Sequence, residues 1–375
     1  MTIYFVAGEA SADNHGAALM EALQRLDADL AFIGRGGPQM KAVAGAVFHN
    51  WIDQSGVLGL WEVIKHYGYF REEFAQTLAE IERSKPDAVL LIDYPGFNLR
   101  LARALHRQKM TPKIIYYISP QVWAWNRGRI KKMARWLDLM LCIFPFEAEL
   151  YLKSGLRTVF VGHPMIERLR SQTIKIERDQ NLIGLFPGSR SREVRKIFPV
   201  LIEVARELRK QKPNLRFEIA AASADLAGEM ERMQDRELGS RNRQLFEIKT
   251  GQAAAIMQRA VVGIIASGSA TLEAAYFRLP FVLIYKVAWP TYLAARLVVA
   301  VKYLGMPNVL AGREVVPEFI QHRARPRAIA GAVLPLLSDQ VARDRMVSEF
   351  DRIVATLGEG GASERAAKAI LNELS

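Results

Sequence analysis

Short apolar runs of strand character alternate with amphipathic stretches along most of this sequence. In the first half these runs cover residues 3–7, 30–34, 88–92, 114–118, 139–144 and 158–161. Helical patterns such as residues 17–26 and 74–83 separate them. Strands that alternate with helices in this way form βαβ units, in which the strands are parallel. The pattern therefore predicts an α/β fold built on parallel sheets.

The alternation is interrupted by a polar segment at residues 168–181 and then restarts at residues 182–186, 217–221, 245–248, 261–266 and 281–285. We therefore predict two doubly wound Rossmann-like domains, at residues 1–165 and 166–345. Residues 346–375 are expected to form a helical tail that packs back on the N-terminal domain or on a partner subunit. Ligands of such folds bind beyond the carboxyl ends of the strands, so two such domains facing each other would form an interdomain cleft.

Composition argues against a predominantly disordered, a disulfide-bonded or a membrane-spanning protein. The chain has 375 residues, of which 50% are apolar, so each domain can bury a core and the chain is not predominantly disordered. Its single cysteine, Cys142, cannot form an internal disulfide. The first residues lack a basic segment followed by an apolar one, and no apolar run reaches the roughly 20 residues of a membrane span. We expect neither an export signal nor a transmembrane helix.

The net charge of +12 requires a negatively charged partner to explain it. Nucleic acid, anionic lipid and phosphorylated small molecules are all candidates. A modest basic cluster is formed by Arg127, Arg129, Lys131, Lys132 and Arg135. It fits a solvated helix surface at least as well as a patch for phosphates or lipid headgroups.

Polar residues follow two of the predicted strands in the first half. Residues 8–13 lead into a helix, where Ser11 or Asp13 can cap the helix while backbone amides face an anion; an ordinary capped turn fits equally well. Asp93 ends another strand, beside Tyr94 and Phe97. Its carboxylate is a candidate general base with a raised pKa, and bracing of the following turn is the alternative.

Two further segments of the first half carry aromatic side chains. Residues 119–125 contain Gln121 and two tryptophans, which suit the wall of a sugar or acyl pocket but also ordinary core packing. Residues 57–70 are strongly apolar, as are residues 289–304 of the second half. Buried helices are the default interpretation of both, and an interfacial helix or an acyl-chain groove is the alternative.

The second half contains two turns of small residues that each open a helix. Residues 187–193 include Gly188, Ser189 and Arg190, which together suit a diphosphate; solvated arginines beside a capped turn are the alternative. Residues 267–273 offer backbone amides for a phosphate and Glu273 for the hydroxyls of a ribose, or else a helix cap. The Gly-Lys-Ser/Thr ending of an NTP-hydrolysing loop is absent, so NTP hydrolysis is not expected.

Six motifs in order resemble those of the lipid-A-disaccharide synthase family. They are Gly-Glu-Ala-Ser at residues 8–11, Ile-Asp-Tyr-Pro-Gly-Phe-Asn at 92–98, Ser-Pro-Gln-Val-Trp-Ala-Trp at 119–125, Pro-Gly-Ser-Arg at 187–190, Ser-Gly-Ser-Ala-Thr-Leu-Glu at 267–273 and Pro-Asn-Val-Leu-Ala-Gly-Arg-Glu at 307–314. The resemblance continues to residues 360–366 and so covers nearly the whole chain.

The resemblance implies a glycosyltransferase of the GT-B fold. Such an enzyme joins UDP-2,3-diacylglucosamine to 2,3-diacylglucosamine 1-phosphate by an inverting displacement, releasing UDP and forming a β-1,6 disaccharide. It implies Asp93 as the base, with Ser11 and Glu9 positioning or activating the acceptor. The nucleotide side would comprise Gly188, Ser189, Arg190, Ser267, Gly268, Ser269, Thr271, Glu273 and Asn308. The acceptor and lipid side would comprise Asn98, Gln121, Trp123 and Trp61.

The resemblance also implies a setting for the enzyme. It predicts no metal and no cofactor, a place on the anionic cytoplasmic face of an inner membrane, and a homodimer through the C-terminal part. Ala12 stands where the family commonly has glycine. If that position required a positive φ, the turn before the first helix would be strained or shifted.

Three other interpretations compete with this one. A UDP-sugar 2-epimerase or another sugar transferase would share the fold, but the aromatic and apolar segments favour a lipid substrate. A nucleic-acid-binding protein would explain the charge, but the sequence offers no recognition helix or interleaved aromatic and basic surface. A two-domain solute-binding module would normally be exported, and no export signal is expected here.

Overall fold

The structure, a computed structural model, describes all residues except 53–66, 109, 111, 239–244, 291 and 294–298. The chain forms two compact units. The first comprises Met1–Pro164 together with Leu357–Ser375, and the second comprises Met165–Thr356. The sequence placed these boundaries at 165/166 and 345/346.

The first unit is built on a parallel sheet, with seven strands in the described part of the chain in the order β3-β2-β1-β4-β5-β6-β7. The strands are β1 (Thr2–Ala7), β2 (Ala31–Gly36), β3 (His49–Asn50), β4 (Ala88–Ile92), β5 (Lys113–Tyr117), β6 (Leu139–Cys142) and β7 (Thr158–Phe160). All five residues of β4 are buried, because helices cover both faces of a parallel sheet. The strand order reverses between β1 and β4, which places a crevice beyond their carboxyl ends.

Helices connect these strands. The described ones are α1 (Ala10–Leu26), α2 (Pro38–Ala44), α3 (Tyr67–Ser84), α4 (Pro95–Arg107), α5 (Val122–Trp125), α6 (Ile130–Trp136) and α7 (Pro145–Leu152). The buried Asp13 carboxylate in α1 accepts hydrogen bonds from the backbone amides of Gly37, Gln39 and Met40 at the start of α2. This carboxylate therefore joins two helices and is not exposed to a ligand, which removes it as an anion-turn residue.

The second unit repeats the design with six parallel strands among its described residues, in the order β10-β9-β8-β11-β12-β13. They are β8 (Asp179–Phe186), β9 (Arg216–Ala221), β10 (Phe246–Thr250), β11 (Ala260–Ala266), β12 (Phe281–Tyr285) and β13 (Glu318–Ile320). The order reverses between β8 and β11. The described helices are α8 (Met165–Ser171), α9 (Ser191–Gln211), α10 (Ala224–Leu238), α11 (Ala253–Arg259), α12 (Ala270–Tyr276), α13 (Met306–Ala311), α14 (Pro326–Ser338) and α15 (Gln340–Ala355).

The end of the chain divides between the units. Helix α15 belongs to the second unit, where Phe350 stacks on Phe281 of β12 at 5.6 Å between ring centroids. The last helix, α16 (Ala362–Leu374), packs against α1 of the first unit. There Glu373 forms ion pairs of 3.1 Å with Lys113 and 2.6 Å with Arg157. The tail predicted at 346–375 is therefore two helices that pack on different units.

Within the described residues, every helix is too short or too polar to span a lipid bilayer.

Candidate active site

Asp93 follows the last residue of β4, at the carboxyl edge of the first sheet. Its backbone amide donates to the carbonyl of Tyr117 on β5 at 3.0 Å. Both Asp93 and Tyr94 have left-handed backbones, with φ of 45° and 48°. Burial and the nearby negative charge of Glu9 raise the pKa of the Asp93 carboxyl to about 6, against a smaller opposing effect of the Tyr94 backbone amide, which donates to it. A carboxyl with such a pKa can accept a proton near neutral pH.

Aromatic side chains hold the turn that contains Asp93. Trp51 and Tyr94 pack edge to face at 6.2 Å, and Trp51 also contacts Phe97 at 5.0 Å. The Trp51 indole donates to the carbonyl of Ala7 at the end of β1. A Cβ atom on Gly8 would lie 2.3 Å from the Tyr94 ring, so any other residue there must displace that ring. The two strand ends are thus packed directly against each other.

Helix α1 begins at the same edge. Glu9 immediately precedes its first residue and is exposed, as is Ser11 in its first turn. The structure thus brings Glu9 close enough to Asp93 to act on its pKa. Ala12 is helical and buried, and it is absent from the residues with positive φ. The substitution of alanine for the family's glycine therefore strains nothing.

Asn98 was predicted on the acceptor and lipid side, and the structure shows that its side chain is buried. The residue lies in the first turns of α4 with 0% of its surface exposed. Its Nδ2 donates to the carbonyl oxygens of Asp93 at 2.8 Å and Ile92 at 3.1 Å. A buried amide is retained where it satisfies buried backbone carbonyls. Asn98 therefore supports the Asp93 turn from beneath.

The other predicted acceptor residues separate into three cases. Gln121 is exposed, whereas Trp61 lies outside the described residues. Trp123 is only 6% exposed and donates its indole N–H to the buried Glu147, so it is a core residue and not a pocket wall. Of the two tryptophans in residues 119–125, Trp125 is the exposed one, at 42%, and the Arg129 guanidinium lies 5.0 Å above its ring.

A cavity of about 390 Å³ lies at the carboxyl edge of the second sheet. It brings together seven predicted nucleotide residues: Gly188, Ser189, Arg190, Ser267, Gly268, Ser269 and Glu273. Gly188 and Gly268 have φ of 109° and 150°, which L side chains rarely adopt. Two separate turns thus need glycine to line one cavity, because any side chain would strain the backbone there.

Charged groups surround this cavity. The Arg190 side chain is 81% exposed and lies 3.3 Å from Glu193, so its guanidinium is free to turn toward a ligand. Glu273 is largely buried and accepts from Arg168 at 2.9 Å. A guanidinium fork beside small-residue turns suits a diphosphate, and a carboxylate suits the hydroxyls of a sugar. No three His, Cys, Asp or Glu side chains form a metal site within the described ranges.

Two predicted nucleotide residues do not reach the cavity. Thr271 is fully buried, and its hydroxyl donates to the Gly268 carbonyl at 2.7 Å. Asn308 is also fully buried: it accepts from the amides of Val315 and Val316 and donates to Glu318. Their hydrogen-bonding groups are already used, so both residues shape the loops around the site.

The cavity also contains residues that sequence reasoning missed. Glu193 contacts Arg190 and packs beside Gly188, while Phe186, Ala253 and Met257 form an apolar wall. Glu193 follows the Pro-Gly-Ser-Arg motif by three residues and could have been found from that spacing. The apolar residues come from β8 and α11, whose proximity no local pattern reveals.

Solved structures of a UDP-GlcNAc epimerase and of a glycotransferase have the same architecture. The UDP-GlcNAc 2-epimerase of Neisseria meningitidis, bound to UDP-GlcNAc, superposes with a TM-score of 0.64 at 13% identity over 99% of both chains. The glycotransferase of kitacinnamycin superposes with a TM-score of 0.60 at 14% identity over 100% of this chain and 99% of its own. Two α/β units, each on a parallel sheet, together with these structural neighbours fit the GT-B type, as the sequence predicted.

Similarity in sequence identifies the family within this fold. A family model described as lipid-A-disaccharide synthetase matches residues 3–371. Lipid-A-disaccharide synthases of Geobacter metallireducens and Geobacter sulfurreducens are each 37% identical, over 99% of this chain and 97% of theirs. The chain belongs to the lipid-A-disaccharide synthase family and is a glycosyltransferase. The epimerase alternative has fold similarity in its favour but no comparable sequence identity.

Proposed function

We propose that this chain transfers 2,3-diacylglucosamine from its UDP derivative to 2,3-diacylglucosamine 1-phosphate. The products are a β-1,6-linked disaccharide 1-phosphate and UDP. Family membership supports the substrates, since its members carry the name of this product. The observation that carries the chemistry is Asp93, a carboxyl with a pKa of about 6 at the carboxyl end of β4.

In this reaction the acceptor 6-hydroxyl oxygen forms a bond to the anomeric carbon of the donor. The bond from that carbon to the diphosphate breaks, and UDP leaves with the electron pair. Asp93 takes the hydroxyl proton, so it must begin ionised. Single displacement inverts the anomeric centre from α to β. On the nucleotide side, Arg190 offsets the charge that develops on the leaving diphosphate.

The first test is UDP release from the donor with and without the acceptor. We expect acceptor-dependent release by the wild type and its loss in Asp93→Asn, with UDP binding retained. Asp87→Asn is the matched control, because Asp87 precedes β4 at its opposite end and its carboxylate accepts from the Thr2 amide, far from the Asp93 turn. A wild type that releases no UDP overturns the transferase, and an active Asp93→Asn overturns the base. Epimerisation of UDP-GlcNAc would favour the alternative enzyme.

The nucleotide cavity has its own test. Arg190→Ala should weaken UDP binding by about tenfold or more, because charge-assisted hydrogen bonds contribute roughly 1.5–3 kcal/mol. Arg192→Ala is the control, since Arg192 is an exposed arginine two residues further on that does not line the cavity. Calorimetric titration with UDP measures both. Equal affinities in the two variants would contradict the assignment of Arg190.

We also propose that the enzyme associates peripherally with the anionic cytoplasmic face of the inner membrane. The surface that supports this comprises the exposed Trp125 and five basic side chains at Arg127, Arg129, Lys131, Lys132 and Arg135, which we call the basic patch. Within this patch Arg127 donates to the carbonyl of Trp123 and Arg129 lies over the Trp125 ring, so both keep their positive charge without a carboxylate in these contacts. Indole rings and cations both favour the surface of an anionic bilayer.

Vesicle sedimentation tests this association. Lys131→Glu/Lys132→Glu should lose binding to vesicles rich in phosphatidylglycerol while keeping its affinity for UDP. Lys41→Glu/Lys368→Glu changes the net charge equally at two exposed sites outside the patch and serves as the control. If both variants lose binding equally, net charge and not the basic patch attracts the membrane. If wild type binds no vesicles, the association itself is overturned.

The C-terminal part is proposed to form a homodimer contact as well. Sedimentation velocity over a range of protein concentrations measures the oligomeric state directly. A monomer at every concentration would remove this proposal while leaving the reaction intact.

A further inference from the structure

The carbonyl oxygen of Asp93 accepts two hydrogen bonds from buried side chains. The hydroxyl of Tyr116, near the carboxyl end of the neighbouring strand β5, lies 2.5 Å from it. The Nδ2 atom of Asn98 lies 2.8 Å from it on the α4 side. Together with the bond from the Asp93 amide to Tyr117, every backbone polar group of Asp93 is engaged.

These hydrogen bonds hold a backbone conformation that is unfavourable for residues other than glycine. Asp93 and Tyr94 are consecutive left-handed residues, and neither is glycine. Such conformations persist only where their surroundings determine them strongly, and they concentrate at functional sites. The hydroxyl of Tyr116 supplies one of the few contacts that reach Asp93 from the sheet itself. Tyr116 has 0% of its surface exposed, so it cannot touch a substrate.

We propose that Tyr116 is a positioning residue for the transfer reaction. Its hydroxyl holds the Asp93 backbone in the left-handed turn and thereby directs the Asp93 carboxylate toward the acceptor hydroxyl. This inference rests on the proposed function, in which Asp93 is the base. A base must lie within hydrogen-bond reach of the proton it removes, so a small rotation of the turn lowers the rate without affecting the binding of UDP.

Tyr116→Phe removes the hydroxyl and keeps the ring. We expect kcat to fall about three- to tenfold, the range that corresponds to one net hydrogen bond, with KM for the UDP donor unchanged. Tyr4→Phe is the control: Tyr4 is an equally buried tyrosine of the same core, but its hydroxyl bonds Glu80 and not the Asp93 turn. Its kcat should equal that of wild type. Hydrogen exchange of the segment at residues 92–98 should rise in Tyr116→Phe alone.

A double-mutant cycle separates positioning from general damage. If Tyr116 acts through the Asp93 carboxylate, Tyr116→Phe should have no further effect on the residual rate of Asp93→Asn. An equal loss in both backgrounds, a wild-type kcat in Tyr116→Phe, or unchanged exchange at residues 92–98 would each overturn the inference. The exchange measurement does not require turnover, so it tests the inference even where the transferase proposal fails. That proposal fails separately, if wild type shows no acceptor-dependent release of UDP.

Discussion

The turn that contains the proposed base is packed so closely that single side-chain atoms affect its geometry. Gly8 and Tyr94 come from different strand ends and touch so closely that one added carbon atom has no room. The same edge brings the negative charge of Glu9 near Asp93, which raises the pKa of that carboxyl. Residue identity at these positions is therefore constrained by neighbours that are distant along the chain.

Gly8→Ala should displace the Tyr94 ring and destabilise the protein by about 1–3 kcal/mol, the usual range for overpacking. Urea unfolding measures the change. Gly96→Ala is the control, because a Cβ atom there meets nothing within 4 Å. We expect Tyr94→Ala to restore much of the stability of Gly8→Ala by making room. If Gly8→Ala is as stable as wild type, the contact is not tight.

The pH profile follows from the Asp93 carboxyl. A base with a pKa of about 6 is protonated and inactive below that value, so the rate should rise with pH through about 6. Glu9→Gln removes a nearby negative charge that disfavours ionisation, and should move this rise to lower pH. The measurement is kcat/KM against pH in both proteins. Coincident profiles would show that Glu9 does not act on the base.

At the scale of elements, a buried carboxyl organises the start of α7. Glu147 has 0% of its surface exposed, and it accepts from the Trp123 indole at 2.8 Å and from the Phe144 amide at 3.3 Å. It thereby links the start of α7 to α5. Burial raises the pKa of this carboxyl to about 7, because the hydrogen bonds offset only part of the lost hydration.

This raised pKa predicts how stability depends on pH. Between pH 4.5 and 7 the folded state holds a proton on Glu147 that the unfolded state has released, so stability falls as pH rises through this window. The full effect is on the order of 3 kcal/mol. Glu147→Gln cannot ionise and should flatten this part of the profile. Urea unfolding at several pH values gives the comparison, and parallel profiles would contradict it.

At the scale of the whole chain, the last residues complete the first unit. Leu357, Ala366 and Ile370 are each fully buried, and Arg365 donates to the carbonyl of Val161 at 2.8 Å. The first unit therefore requires residues separated by the entire second unit in sequence. Folding of its core must wait for a contact of high sequence separation.

Truncation after Thr356 should therefore damage the first unit selectively. We expect faster hydrogen exchange in α1 and β5, which α16 contacts, and unchanged exchange in β8 and β11. The exchange in α1 and β5 should rise because the truncation exposes the apolar residues that α16 covers. Replacement of the exposed Lys368 by alanine is the control for changes at the surface of α16. Uniform exchange across both units would show that the units do not unfold separately.

Much of the architecture was readable from local patterns. The alternation of strands and helices predicted two parallel sheets. Asp93 and the turns at Gly188 and Gly268 were predicted as site residues because they follow predicted strands. Four of the predicted site residues are buried: Asn98, Trp123, Thr271 and Asn308. Each belongs to a motif, but a motif does not show whether a polar side chain points to a ligand or satisfies a neighbouring backbone group.

The sequence alone determined the α/β class, the family and the strand ends that carry polar groups, because periodicity and motif order are local properties of the chain. Only the tertiary structure decided that Tyr116 and Asn98 meet at the Asp93 carbonyl and that Trp125, not Trp123, stays at the surface. It also decided that α16 joins the first unit. Burial and hydrogen-bond partners depend on residues far apart in sequence, which no local pattern encodes.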